Sequence, residues 1–144
     1  MRVTSFALIA VVLFAACGFA EDKPKLPPLD SKEWKKNKSG LEIWDVKDGK
    51  GTAAVAGGKV KVHYTGWLTN GDIFDSSVLR KEPIEFPLDG LIKGWQEGIP
   101  GMKPGGVRRL KIPPELAYGD KDKGKIPANS TLVFEIELLS TEEK

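Results

Sequence analysis

The stretch Val62 to Ser77, VHYTGWLTNGDIFDSS, gathers the chain's single histidine, a tyrosine, two aspartates and two adjacent serines. Serine, histidine and aspartate are the side chains of nucleophilic hydrolysis, in which a base takes the hydroxyl proton and a carboxylate orients the base. Two features argue against that chemistry. The chain has no Gly-x-Ser-x-Gly elbow to expose a serine on a strained turn. The alternation of VKVHYTGWL also sets His63 among polar neighbours, on the face opposite Tyr64. Ser76 and Ser77, directly after Asp75, are read as partners of the local backbone.

Metal and nucleotide chemistry fare no better. One histidine and no cysteine beyond position 17 leave carboxylates as the only ligands in number. Asp120 and Asp122 in GDKDKGK imitate part of a calcium loop, but lysines interrupt it and the closing glutamate is missing. Gly58-Lys59 is followed by Val60, and Ala53 stands where a phosphate loop needs its first glycine. The sequence therefore predicts no metal site and no cofactor. A formal net charge of +2, from 22 basic and 20 acidic residues, gives no electrostatic footprint for nucleic acid. What remains is aromatic. Tyr64, Phe74, Phe86, Trp95, Tyr118 and Phe134 fall on separate predicted elements, several on inward faces. Any one such ring is ordinarily core. Six exceed what a core this small must hold, so some are free to line a concave apolar pocket.

The elements that would position these rings are short. LEIWDVK (41–47), VKVHYTGWL (60–68) and TLVFEIELLS (131–140) alternate as half-buried strands, and VRRLKIP (107–113) sets Leu110 and Ile112 on one face. Asn70-Gly71 turns the chain into a further extended piece at Ile73–Asp75. IEFPL (84–88) reads as an edge strand because of Pro87. LIKGWQEGIPGM (91–102) is the one convincing helix, with Asp89 as candidate N-cap and Gly98 and Pro100 as its stop. Gly94 costs such a helix about 1 kcal/mol, so packing rather than propensity must hold it. The pattern predicts an α+β fold: an antiparallel sheet of five to six strands curled around one short helix.

The 144-residue chain suffices for one domain. Its first 20 residues have the layout of a secretory signal: Arg2, the apolar run FALIAVVLF, then small residues ending at Ala20. Cleavage after Ala20 is one reading; lipidation of Cys17 within FAAC is the other, and only the second would bring the protein to a membrane. Beyond the leader no cysteine remains for a disulfide. Residues 21–38, charged and proline-containing without apolar period, read as a flexible linker. The folded domain is expected over 39–144.

VHYTGWLTNGDIFDSS, LIKGWQEGIPGMKPGG, IPPELAYGD and IPANSTLVFEIELL occur in this order. Together they resemble the FKBP-type peptidyl-prolyl cis-trans isomerases, the macrolide-binding immunophilins, over about residues 39–140. The resemblance implies an isomerase that needs no cofactor and acts on X-Pro-containing polypeptides, with macrolides as inhibitors. It implies catalytic roles for Tyr64, Phe74, Asp75, Tyr118 and Phe134, and substrate contacts for Phe86, Leu91, Ile92, Trp95 and Ile126. Trp95 would be the floor beneath the proline ring, and Tyr64, Phe74 and Phe134 the walls. The Ile92 N–H and the Tyr118 hydroxyl would meet ligand carbonyls, with Asp75 at the rim. Ile84 stands where many members carry an aromatic, and the 119–125 loop is rich in lysine and aspartate where relatives have an apolar tip. Residues 21–38 are too short for a dimerising helical arm, so a monomer is expected. A peptide-binding chaperone using the same pocket without turnover is the alternative; the retained pocket residues favour the enzyme.

Overall fold

The computed structural model describes residues 23–143, so the leader read at 1–20, including Cys17, lies outside the described residues. The strands are β1 (Lys35–Lys36), β2 (Glu42–Lys47), β3 (Lys59–Leu68), β4 (Ile73–Ser76), β5 (Ile84–Pro87), β6 (Val107–Ile112) and β7 (Leu132–Glu142). Two short helices interrupt them, α1 (Ser77–Arg80) and α2 (Lys93–Gly98). All strand pairs are antiparallel, in the order β1-β2-β6-β7-β3-β4. The fold is the expected α+β arrangement, with the two-residue β1 added at one edge and α1 as a second helical turn.

β3 is the spine. It pairs with β7 along its whole length, from Lys59 opposite Glu142 to Leu68 opposite Leu132. On its other side it divides its partners. Its first half pairs with β5, Val62 opposite Ile84, and its second half with β4, Thr65 opposite Ser76. A bulge between Gly66 and Trp67 ends the regular β4 register.

The inner face of the sheet buries Val60, Val62, Tyr64, Leu110, Ile112, Leu132, Phe134, Ile136 and Leu138 against α2. These are the period-2 positions of β3, β6 and β7, as the alternation requires. The helix sits close to β6. A Cβ on Gly94 would meet Ile112 Cγ2 at 2.5 Å, and one on Gly98 would meet Leu110 Cδ1 at 2.7 Å. The glycines that weaken the helix locally are thus the ones that let it pack. Its N-cap is Ile92, with no side-chain cap bond; Asp89, the expected cap, lies instead in a 3-10 turn at Leu88–Gly90. The intervening Leu91 is extended, which places the helix start later than the sequence suggests.

The outer face corrects a second expectation. Residues 23–38 are not a free linker. Leu26, Leu29 and the buried Trp34 pack with Trp44, Trp67, Ile73 and Val133 on the side of the sheet away from α2. The Trp34 indole donates to Pro28 O at 2.8 Å, Trp67 to Pro24 O at 3.3 Å, and Lys111 Nζ to Leu29 O at 2.8 Å. Lys111 also lies over the Trp34 ring, 4.8 Å from its centroid, and Arg109 over Trp44 at 4.4 Å. Trp67 is 1 % exposed although alternation puts it on the outer face. The two-sided burial of β3 explains both observations: a central strand plated by a preceding segment has no solvated side.

Candidate active site

β3 delivers Tyr64 to the inner face next to Gly66, and β4 antiparallel to it delivers Phe74 and Asp75. A Cβ on Gly66 would lie 2.6 Å from Phe74 Cζ and 2.8 Å from Phe134 Cε1. Only glycine lets two rings close over the strand at this point. Phe134 comes from β7, where it faces Gly66 across the ladder, and Phe86 from β5, opposite Val60.

These rings meet edge to face around Trp95 of α2. The Trp95 ring centroid lies 5.4 Å from that of Tyr64, 5.7 Å from Phe86 and 5.2 Å from Phe134, at interplanar angles of 84°, 84° and 87°. Phe74 and Phe134 are a further perpendicular pair at 5.5 Å. The edge-to-face arrangement presents ring edges to the negative faces of neighbours, which adds to burial and fixes each ring's orientation. A cavity of about 450 Å³ opens above Trp95, lined by Tyr64, Phe74, Asp75, Phe86, Gly90, Leu91, Ile92, Trp95, Tyr118 and Phe134. The Trp95 indole N–H is buried and without a protein acceptor among the described residues.

Nine of the ten site residues drawn from the resemblance line this one cavity. The tenth, Ile126, is displaced from it. It is buried in an adjoining depression that shares Phe74, Asp75 and Tyr118 with the cavity. Ile84 is partly buried and does not line the cavity. Ile92 is the N-cap residue of α2, where the first N–H groups have no intrahelical acceptor and are available to a ligand.

The polar side of the cavity is a three-member network. The Tyr64 hydroxyl donates to Asp75 Oδ2, and the Arg80 guanidinium pairs with Asp75 Oδ1. Arg80 Nη2 also reaches the Tyr64 hydroxyl at 3.4 Å. Burial alone would raise the Asp75 pKa, but the bonds from Tyr64 and Arg80 hold it below the ordinary carboxylate value. Burial, then the neighbouring carboxylate, push the Tyr64 phenol up. Asp75 therefore stays an anion and Tyr64 a neutral donor near neutrality.

Sequence reasoning missed Arg80. Its signal was helical: Ser76 caps α1 by accepting from Leu79 N at 3.1 Å, which turns Arg80 back over Asp75. The serines divide their work. Ser76 acts locally as expected, whereas Ser77 works across strands. Its hydroxyl accepts from the Tyr64 N–H at 2.8 Å and contacts His63 Nδ1 at 2.9 Å. Ser77 and His63 are thus joined without an aspartate, and on the backbone side of Tyr64. His63 is half-buried rather than open to water.

An antiparallel sheet wrapped around a short helix, with an aromatic box at the helix start, presents an apolar binding cavity. The family model for the FKBP-type peptidyl-prolyl cis-trans isomerases matches residues 50–139. An FK506-binding protein of Neisseria meningitidis serogroup B is 50 % identical over 107 residues, covering 72 % of this chain and 98 % of the relative. The FKBP-type 22 kDa peptidyl-prolyl cis-trans isomerase of Escherichia coli is 45 % identical over 122 residues, 84 % of this chain and 57 % of that protein. The crystal structure of FkpA from Escherichia coli superposes with a TM-score of 0.75 at 46 % identity, over 79 % of this chain and 54 % of that one. The chain thus spans about half the length of the longer relatives and nearly all of the short one. It belongs to the FKBP-type peptidyl-prolyl cis-trans isomerase family.

Proposed function

We propose that the protein accelerates cis-trans isomerisation of X-Pro bonds in polypeptides folding outside the cytoplasm, and that the ten residues named above form its site. The observation that carries this reading is the open aromatic cavity above Trp95, walled by Tyr64, Phe74, Phe86 and Phe134. An X-Pro amide resists rotation because of its partial double-bond character, with a barrier of roughly 18–20 kcal/mol. Rotation through the twisted state breaks that conjugation, and the carbonyl loses part of its charge. An apolar box disfavours the polar planar amide relative to the less polar twisted one. That difference is what lowers a barrier; equal binding of both would not.

In this scheme the proline ring rests on Trp95. The Ile92 N–H and the Tyr118 hydroxyl hold the flanking carbonyls. Asp75, kept ionised by Arg80 and Tyr64, stands beside the bond that twists. No bond to the protein is made, so no nucleophile is required. Export is supported by the charged, apolar and small-residue order of positions 1–20. Lipidation through Cys17 and cleavage after Ala20 remain the two forms that order permits. A monomer is the proposed state, and macrolide binding follows from the same cavity, as the name FK506-binding protein states for the Neisseria relative.

The test is prolyl isomerisation by the chain from residue 21 on tetrapeptides, with and without FK506. Acceleration abolished by the macrolide is the expected result. Tight binding without acceleration would demote the protein to a peptide-binding module. A folded sample with neither would overturn the site assignment.

A further inference from the structure

We propose that Lys123 and Lys125 make this site selective for segments carrying an acidic residue next to the proline, an inference that rests on the reading just given. The depression that adjoins the main cavity, about 380 Å³, is lined by Phe74, Asp75, Tyr118, Lys123, Lys125 and Ile126. Three of those six also line the main cavity, so the two adjoin, and a chain whose proline occupies the cavity can continue through the depression. A broader groove of about 740 Å³ continues beyond Phe74 and Asp75, and Lys125 lines it too, together with Lys23 and Arg80. Lys125 thus lines both the depression and the groove. Lys123 lies over the outer wall, its Nζ 5.5 Å from the Tyr118 ring centroid.

The two loop lysines, Lys123 and Lys125, make no direct ion pair among the described residues. The four ion pairs there use Arg80, Arg108, Arg109 and Lys111. The loop 119–125 sets Lys121, Lys123 and Lys125 against Asp120 and Asp122, one positive charge in excess, and Asp72 lines the broader groove. Asp75 is held by Tyr64 and Arg80, and Asp122 accepts the Gly124 N–H at 2.8 Å within its own turn. The Lys123 N–H donates to Ile126 O at 2.9 Å and closes the loop backbone beside the depression that both lysines line. An apolar cavity with two solvated ammonium groups at its exit complements a proline flanked by a carboxylate.

The experiment compares peptides with Glu, its neutral isostere Gln, or Lys placed before or after the proline, and a Leu-Pro peptide as general substrate. Turnover and equilibrium binding are both measured, on the wild type and on Lys123→Gln/Lys125→Gln. An exposed charge pair shifts such preferences by about two- to fivefold. We expect at least one Glu peptide to exceed its Gln counterpart by that factor at low salt. The advantage should vanish in the double variant and at high salt, and persist in Lys36→Gln/Lys38→Gln, which has the same net charge change at the β1 edge of the sheet, opposite the β4 edge. Equal Glu and Gln values in the wild type, or an advantage that survives the double variant, would overturn the inference. Failure to turn over the Leu-Pro peptide would instead overturn the proposed function, and the binding series would still decide the charge preference.

Discussion

Gly94→Ala sets two effects of known sign against each other. In an exposed helix interior, alanine gains about 1 kcal/mol over glycine. Here the new methyl would lie 2.5, 2.6 and 2.8 Å from Ile112 Cγ2, Cδ1 and Cγ1. Ile112 is fully buried, so it has no solvent to swing into, and overpacking of this kind costs about 1–3 kcal/mol. Three contacts below 3.0 Å put the cost toward the upper end of that range. The net expectation is destabilisation by about 1–2 kcal/mol. Because α2 must lift off β6, Trp95 should move with it and substrate binding should weaken. The assay is urea denaturation with an unchanged m-value, alongside isomerase kinetics. A double-mutant cycle isolates the cause. Ile112→Ala alone should cost about 2–5 kcal/mol, but less in the Gly94→Ala background, where the added methyl fills part of the cavity. A stabilised Gly94→Ala variant, or strict additivity with Ile112→Ala, would refute the packing argument.

Three further outcomes follow from the same contacts. Trp34→Ala should destabilise the domain by about 3 kcal/mol, the low end for a buried aromatic because the outer cluster is small, while kcat/KM on Leu-Pro peptides changes little. Asp75→Ala should lower activity by about an order of magnitude, since a charged hydrogen-bond partner is lost from Tyr64 and Arg80, and should lower the melting temperature only slightly at neutral pH because the Asp75–Arg80 pair is partly exposed. The depressed Asp75 pKa makes the stabilisation from its network fully present above the unfolded-state value near 3.8 and lost as pH falls through the lower folded value. Acid titration followed by NMR should therefore find Asp75 ionised where an unpaired aspartate is already protonated, and Arg80→Gln should raise its midpoint.

Most of the fold was legible because one face of each long strand is strictly apolar. Val60, Val62 and Tyr64, or Leu132, Phe134, Ile136 and Leu138, repeat with the period of the pleat, and the structure buries all of them on the side of α2. The outer face was not legible for a local reason. Leu26, Leu29 and Trp34 show no period, because they pack as single contacts along an irregular segment, anchored by backbone carbonyls that accept from Trp34, Trp67 and Lys111. Carbonyl acceptors leave no trace in a sequence. Arg80 was hidden similarly: its partners are five and sixteen positions away and meet it only through the turn that Ser76 caps. The resemblance supplied the cavity residues, but the role of Gly66 emerged only from the two rings that occupy the space its Cβ would take.

The plated outer face and the open inner cavity are linked through β3. Tyr64 points inward to Trp95 while its own N–H is held by Ser77, and its neighbour Thr65 bonds Ser76 across the ladder at 2.9 Å. Trp67, further along the strand, is locked beneath the segment 23–38. A strand fixed on both faces cannot shift its register without breaking one set of contacts. The aromatic box therefore needs no rigidity of its own: α2 is short and glycine-weakened, yet Trp95 is positioned by three rings that each come from a strand of the same held sheet. On this reasoning, loosening the outer plate should first lower stability, and should reach catalysis only when β3 itself begins to slip.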